Sequence, residues 1–198
     1  MALPLTIPPQ AAPPDEQEVC VACGFCCDGT LFLHACLQPG ERGHLPEKIE
    51  ANSYAENGEE FFRLPCPYFR GKCTIYDRPR ADVCGSFRCE LLLSMEKGAI
   101  SKAEALALVA RAHTIRQELL HEFCRLTGFN GTPNLRQILL DLGKWRKNLT
   151  DDDPLTTETD LLMARINILE ALLIKHFHPA SEFQNMMVNS QNHLKAKQ

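Results

Sequence analysis

The sequence predicts a mainly α protein in which a small, irregular, cysteine-rich and metal-clamped module packs against a bundle of three to four helices. Two observations lead to this prediction. Nine of the ten cysteines of the 198-residue chain lie before residue 90, among many glycine and proline turns. After residue 90, apolar residues recur at three- and four-residue steps, which is the period of an amphipathic helix. The chain therefore divides into four parts, residues 1–18, 19–89, 90–180 and 181–198.

Residues 1–18 are predicted to form a disordered, proline-rich arm. Prolines stand at positions 4, 8, 9, 13 and 14, and each of them removes a backbone donor and restricts the chain. This arm also lacks the basic start and the apolar stretch of a secretory signal peptide. We therefore expect a cytoplasmic protein. In this reducing compartment, clustered thiols more often bind metal than form disulfides.

Residues 19–89 are predicted to form loops and short strands. Turn-forming residues interrupt every apolar run in this segment, as at Gly24, Pro39-Gly40 and Gly58. A loop-rich stretch of this size buries too little apolar area to offset the entropy of ordering it. It therefore needs an additional cross-link, and bonds between thiolates and metal would supply one.

The helical part is predicted to contain four helices, at about residues 88–97, 101–126, 134–147 and 154–177. The longest of them has a capping box at its start, formed by Ser101 and Glu104, and Gly128 as its stop. The last one follows three aspartates, which suit a helix N-terminus, and it ends before Pro179. Residues 181–198 are polar and are expected to fray.

Charge and motif content exclude several classes of function. The net charge is -4, the pI is near 6.0 and no basic run exists, so nucleic acid is not the expected partner. The longest apolar stretch, residues 161–177, contains charged residues and cannot be a membrane span. No phosphate loop, dinucleotide fingerprint or nucleophile elbow is present, so no catalytic residue is assigned. The expected partners are a metal ion or cluster and, beyond it, a protein.

The densest motif is C-x-x-C-x-x-C-C. A two-residue spacer lets a tight loop turn two sulfurs toward one ion, and Gly24 permits the positive φ that such a loop uses. Four further cysteines follow at wider spacing before residue 90. The eight predicted metal ligands are Cys20, Cys23, Cys26, Cys27, Cys66, Cys73, Cys84 and Cys89.

The spacing leaves the metal open. In one alternative, a 4Fe-4S cluster is held by the C-x2-C-x2-C run together with the cysteine that precedes Pro67, namely Cys20, Cys23, Cys26 and Cys66. The other four cysteines would then bind one Zn²⁺ in a closed four-thiolate site. In the second alternative, two zinc sites have interleaved ligands. Adjacent side chains diverge, so Cys27 is expected to serve a different centre from Cys26, or to be free. Cys36 and Cys124 are predicted to be structural.

The cysteines lie in short motifs that together resemble a known family. The motifs are Cys20 to Cys27 with the following Asp28-Gly-Thr-Leu-Phe32, Cys66-Pro-Tyr-Phe69, Gly71-Lys-Cys73-Thr-Ile-Tyr-Asp-Arg-Pro79 and Cys84-Gly-Ser-Phe-Arg-Cys89. They resemble the YkgJ-type cysteine cluster family, also known as the CxxCxxCC or zinc- or iron-chelating domain. The resemblance spans residues 20–89. One departure is the loop between Pro79 and Cys84, which has four residues where the family usually has two.

The resemblance implies a metal-binding domain whose biochemical role is largely unassigned. The leading hypothesis is a metalloprotein whose zinc or iron–sulfur centre makes it a structural, sensory or accessory module. A similar cysteine pattern in flagellin lysine methylases suggests the alternative, an iron–sulfur-dependent redox or protein-modifying enzyme. A metallochaperone is the third hypothesis, and it is disfavoured because eight thiols in two sets indicate closed sites.

Overall fold

The computed structural model describes residues 14–131, 133–150 and 153–178, and these residues are mainly helical, as predicted. They form seven helices and one sheet of three strands. The helices are α1 (Pro14–Cys23), α2 (Glu47–Glu50), α3 (Val83–Ser86), α4 (Glu90–Glu96), α5 (Lys102–Thr127), α6 (Leu135–Lys147) and α7 (Pro154–Phe177). The strands are β1 (His34–Cys36), β2 (Ser53–Glu56) and β3 (Glu59–Arg63). The four helices predicted after residue 88 are confirmed as α4 to α7.

The ends of α5 have the predicted capping. The Ser101 hydroxyl accepts the backbone N–H of Glu104, and the Glu104 carboxylate accepts the backbone N–H of Ser101 at 2.7 Å. This reciprocal pair satisfies two donors that a helix leaves unpaired at its start. Gly128 ends the helix in the left-handed conformation, with φ at 68°, and its N–H bonds to the Cys124 carbonyl. The helix therefore starts and stops where the sequence predicts.

The helices share one apolar core. Helix α5 packs on α7 and α1, while α6 packs on α7. Leu119 of α5 and Leu162 and Ile166 of α7 are fully buried there. Each such side chain contributes about 1.5–3 kcal/mol when it leaves water, so this core is the main source of helical stability. Within the described part of the chain, no helix is long and apolar enough to cross a membrane.

The sheet is antiparallel, with strand order β1-β3-β2. Strands β2 and β3 form a hairpin through Asn57 and Gly58, both at positive φ, as a tight two-residue turn between twisted strands requires. Phe62 of β3 is buried in a second, smaller apolar cluster that also contains Ile49 and Ile75. The short strands expected within residues 19–89 are thus present.

Helix α1 overturns part of the predicted arm. The chain is helical from Pro14, so the prediction of disorder is wrong for residues 14–18. Proline is favoured at the first helical position, where its missing N–H has no role, and Asp15 and Glu16 suit a helix N-terminus. Val19 anchors the helix because it is 1% exposed in the helical core. The remainder of the arm, residues 1–13, and the predicted tail, residues 181–198, lie outside the described residues.

Candidate metal centre

The first two cysteines lie in the last turn of α1. Cys20 and Cys23 are three residues apart on a helix, a spacing that places two side chains on one face. A tight loop was expected for this pair, and the structure has a helix instead. Gly24 follows with φ at 63°, which confirms the predicted positive φ, and its N–H bonds to the Cys20 carbonyl. A Cβ at Gly24 would lie 2.7 Å from the end of the Phe69 ring, so a side chain there requires this ring to move.

The other six cysteines reach the site from turns and helix ends. Cys26 and Cys27 lie in the turn after α1, and the Cys27 carbonyl accepts the backbone N–H of Cys66 at 2.7 Å. Cys73 pairs with Phe69 in an isolated β-bridge. Cys84 is in the short helix α3, and Cys89 is the residue that caps α4. Segments that are far apart in the sequence therefore converge on the end of α1.

All eight predicted cysteines line two neighbouring cavities, of about 40 and 240 Å³. Among the lining cysteines, Cys23 and Cys89 border only the smaller cavity, and Cys66, Cys73 and Cys84 border only the larger one. The remaining three predicted ligands border both cavities, namely Cys20, Cys26 and Cys27. The two cavities therefore adjoin one another along the CxxCxxCC motif.

Electrostatic interactions group the eight thiols around two sets of four, which also interact with each other through Cys20 and Cys27. Burial raises the pKa of Cys26 well above its usual value, and the nearby thiols of Cys23, Cys20 and Cys89 raise it further. Burial likewise raises the pKa of Cys84 to about 12, with further contributions from Cys66 and Cys73. Burial also raises the pKa of Cys27, and the thiol of Cys84 adds most to this, followed by those of Cys20, Cys66 and Cys73. We define the first set as Cys20, Cys23, Cys26 and Cys89, and the second set as Cys27, Cys66, Cys73 and Cys84.

These two sets differ from the first alternative given by the sequence, in which Cys66, the cysteine before Pro67, joins Cys20, Cys23 and Cys26. Cys89 borders the smaller cavity together with Cys20, and after burial it contributes most to the raised pKa of the Cys20 thiol. Cys66 instead has Cys73 as a neighbouring thiol. The first set therefore contains Cys89 in place of Cys66, and the second set contains Cys66 in place of Cys89.

Several sulfurs are held by backbone donors. Burial raises the pKa of Cys89, and the N–H groups of Leu92 and Leu91 oppose this by donating to its sulfur. The N–H groups of Tyr68 and Phe69 act in the same way on the Cys66 sulfur, again against a pKa raised by burial. Such donors stabilise the thiolate form, which is the form that binds metal.

Two arginines face the thiols. The Arg80 guanidinium opposes the burial that raises the pKa of Cys20 and of Cys84, and Arg70 acts likewise on Cys66. Arg80 also lies over the Tyr76 ring, 4.2 Å from its centroid. Positive charge at this place reduces the cost of partly burying an anionic centre. Arg80 thus acts on the pKa of one thiol in each set, Cys20 and Cys84.

Contacts with α5 were not predicted from the sequence. The Nε2 atom of His113 lies 2.8 Å from the carbonyl oxygen of Cys23, and its ring packs on Phe25 at 4.3 Å. Asp28, directly after the motif, forms a half-buried ion pair with Arg116 at 2.5 Å. These partners are about 90 residues apart, so only the packing of α1 on α5 brings them together.

The remaining candidates have other surroundings. Cys36 is exposed on β1 at the border of the larger cavity, and Cys124 packs against the helical core. The His34 ring packs edge-to-face against Phe61, with the ring centroids 4.8 Å apart. All ten cysteines are free thiols. Across the described ranges, no three histidine, cysteine, aspartate or glutamate side chains converge in the geometry of a metal site.

The chemistry of the donor set nevertheless fits a soft metal centre. Eight thiols border two adjoining cavities, backbone N–H groups donate to several of the sulfurs, and guanidinium groups lie nearby. No family model, no curated protein and no solved structure matches the chain significantly. The geometry and chemistry of the site are therefore the basis for a functional proposal.

Proposed function

We propose that this protein binds metal through two adjoining sets of four cysteine thiolates and acts as a structural, sensory or accessory module. The observation that carries the proposal is the placement of all eight predicted cysteines around two neighbouring cavities. Free cysteines that serve only as small core residues have no reason to gather in this way. The motifs that resemble the YkgJ-type family support the same proposal.

Electrostatic interactions favour the metal-bound state of the eight cysteines over the metal-free state. Neighbouring buried thiols raise one another's pKa, as for Cys26 and Cys84, where burial is the first cause. A metal ion reverses this effect because it binds the deprotonated sulfur and neutralises its charge. The arrangement becomes favourable once metal is bound.

The two sets suit zinc or an iron–sulfur cluster. Four thiolates form the closed tetrahedral sites of structural zinc, and four cysteines also hold a 4Fe-4S cluster. We further propose that residues 19–89 form a cysteine-rich module held by these centres and packed on the helical bundle. The contacts of α1 with α4 and α5 support this arrangement.

A second candidate function is an iron–sulfur-dependent redox or protein-modifying enzyme, similar to flagellin lysine methylases. One observation favours it, the larger cavity of about 240 Å³ beside the second set. An enzyme needs room for a substrate at its metal centre, whereas a structural site does not. The smaller cavity, of about 40 Å³, offers no such room.

Metal analysis with a visible spectrum, on protein purified without oxygen, tests the proposal. A colourless protein with one or two zinc ions per chain supports a structural or sensory module. A brown protein with about four irons per chain supports an iron–sulfur centre and favours the enzyme. A protein without zinc or iron, which also binds neither after anaerobic reconstitution, would contradict metal binding.

A further inference from the structure

The side of α7 that faces away from the core has an apolar stripe. Leu161 is 57% exposed and Ile168 is 66% exposed, although both side chains are large and apolar. They are seven positions apart, so they lie on one side of the helix, and Ala164 and Ala171 lie on the same side. We call these four residues the α7 stripe.

Ion pairs border the α7 stripe on both sides. On one side, Arg165 of α7 pairs with Glu122 and, at 3.3 Å, with Glu118 of α5. On the other side, Asp160 of α7 pairs with Arg146 of α6 at 2.7 Å. Apolar residues that are exposed singly are normal, but a continuous apolar surface with a polar rim is typical of an interaction site.

The charges at the rim favour a protein partner over a membrane. A helix that lies on a lipid surface usually has many lysines and arginines on its polar face. Here the carboxylates of Glu118 and Glu158 are about half exposed beside the stripe, and the net charge of the chain is -4. Anionic lipids would be repelled by this rim.

The charges along α7 favour a second copy of the same chain. Asp160 lies near the start of the helix and is 52% exposed, and Lys175 is exposed near its end. If two copies of α7 are antiparallel with Ile168 opposite itself, Lys175 of one copy lies opposite Leu161 of the other, next to Asp160. Two-fold symmetry repeats this contact, so both ends of the pair gain opposite charges. A parallel pair would instead bring like charges together.

We propose that two copies of this chain associate through the α7 stripe, with their α7 helices antiparallel. The 24-residue helix is about 36 Å long, and one face about 10 Å wide offers roughly 700 Å² over two copies. Stable interfaces bury roughly 1,200–2,000 Å², so this dimer is reversible, with a dissociation constant in the micromolar range. The proposal goes beyond metal binding and does not depend on it.

Analytical ultracentrifugation of the full-length, metal-containing protein tests the dimer. Over about 2–200 μM, the weight-average mass should rise from 22.3 kDa toward twice this value. Ile168→Glu places a charge at the centre of the stripe and should weaken association at least about tenfold. Leu33→Glu is the matched control, because Leu33 is 59% exposed and lies outside α7. Circular dichroism and metal content confirm that each variant is folded and loaded.

The antiparallel arrangement is tested by a change of charge. Lys175→Glu places a second carboxylate beside Asp160 of the other copy and should weaken association by about tenfold. Lys97→Glu makes the same change of charge at an exposed position after α4, so it should associate as the unchanged protein does. Equal association of Lys175→Glu and Lys97→Glu would contradict the antiparallel pair.

The dimer and the metal proposal fail in different ways. A mass that stays at 22.3 kDa throughout would overturn the dimer, whatever the metal content. Association of Ile168→Glu that equals that of the unchanged protein would show that the α7 stripe is not the interface. A protein that dimerises through the stripe but contains and binds no metal would overturn the metal proposal alone.

Discussion

The imidazole Nε2 of His113 lies 2.8 Å from the backbone carbonyl oxygen of Cys23 and joins the middle of α5 to the end of α1. Cys23 belongs to the first cysteine set, so this contact connects a candidate ligand directly to the helical core. The ring of His113 also packs on Phe25, which is fully buried. The cysteine motif and the longest helix are therefore joined by a polar contact and an aromatic contact at one side chain.

Replacement of His113 by alanine should loosen this connection. The variant loses one hydrogen bond and the packing on Phe25, and we expect a decrease of about 1–2 kcal/mol in the free energy of unfolding. Urea denaturation of the metal-loaded protein measures the decrease. His121→Ala is the control, because His121 is exposed on the same helix. Equal stability of the two variants would show that the His113 contact has no energetic role.

The division of the cysteines into two sets can be tested with serine variants. Cys89→Ser and Cys20→Ser belong to the first set, so each should lose the same metal, and the double variant should lose no more than either alone. Cys66→Ser should lose the other metal, and its effect should add to that of Cys20→Ser. Metal content per chain is the measurement.

Cys124→Ser is the control for these variants, since Cys124 packs against the helical core away from both cavities. It should retain all of the metal. If Cys66 instead shares a centre with Cys20, Cys23 and Cys26, then Cys20→Ser and Cys66→Ser should both lose the same metal, and their effects should not add. That outcome would contradict the two sets described above.

Local signals in the sequence predict much of this fold. The capping box at Ser101, the stop at Gly128 and the start of α7 at Pro154 are all found where the sequence places them. Each depends on residues within a few positions, so spacing alone is sufficient. The start of α1 is the exception, because the prolines before it are equally typical of a disordered arm. Burial of Val19 against the core favours the helix over a disordered arm. This burial is a tertiary contact, so the local sequence does not show it.

The grouping of the cysteines could not be predicted for a related reason. Sequence spacing identifies the eight candidate ligands, but it carries no information about which segment folds beside which. The hydrogen bond from Cys66 to the Cys27 carbonyl places Cys66 at the second set, and the packing of α4 near α1 places Cys89 at the first. The interaction of Asp28 with Arg116 likewise depends on helix packing.

Gly24→Ala should destabilise the end of α1 and reduce metal binding. The position has φ at 63°, and an added Cβ would lie 2.7 Å from the Phe69 ring. Gly43→Ala is a matched control, since Gly43 also has positive φ but has open space around its Cβ position. Both variants incur backbone strain of about 1 kcal/mol, and only Gly24→Ala adds the clash.

Thermal unfolding and metal content of the two glycine variants separate strain from clash. Gly24→Ala should have the lower Tm and should lose metal, because the clash displaces the turn that contains the first cysteine set. Gly43→Ala should keep its metal. If both variants have the same Tm and metal content, Phe69 moves aside freely and close packing at Gly24 is unimportant.

The raised thiol pKa values predict opposite pH dependence for the metal-free and metal-loaded protein. Burial is the first cause of the raised pKa of Cys23, Cys26 and Cys27, and it raises the pKa of Cys84 to about 12. In the unfolded chain these thiols ionise near their usual pKa of about 8.5, so above that pH the unfolded state has lost more protons than the folded state. The free energy of unfolding of the metal-free protein should therefore decrease as the pH rises from about 8.5 toward 12.

Metal reverses the sign of this dependence. Bound thiolates are deprotonated in the folded state, so protons compete with the metal and stability should fall as the pH falls. Tm measured from pH 6 to 10, on metal-loaded protein and on protein treated with a chelator under reducing conditions, gives both slopes. Cys36→Ser is the control and should leave both slopes unchanged, because Cys36 is exposed and belongs to neither set. Parallel slopes in the two forms would show that the buried thiols are not the groups that bind the metal.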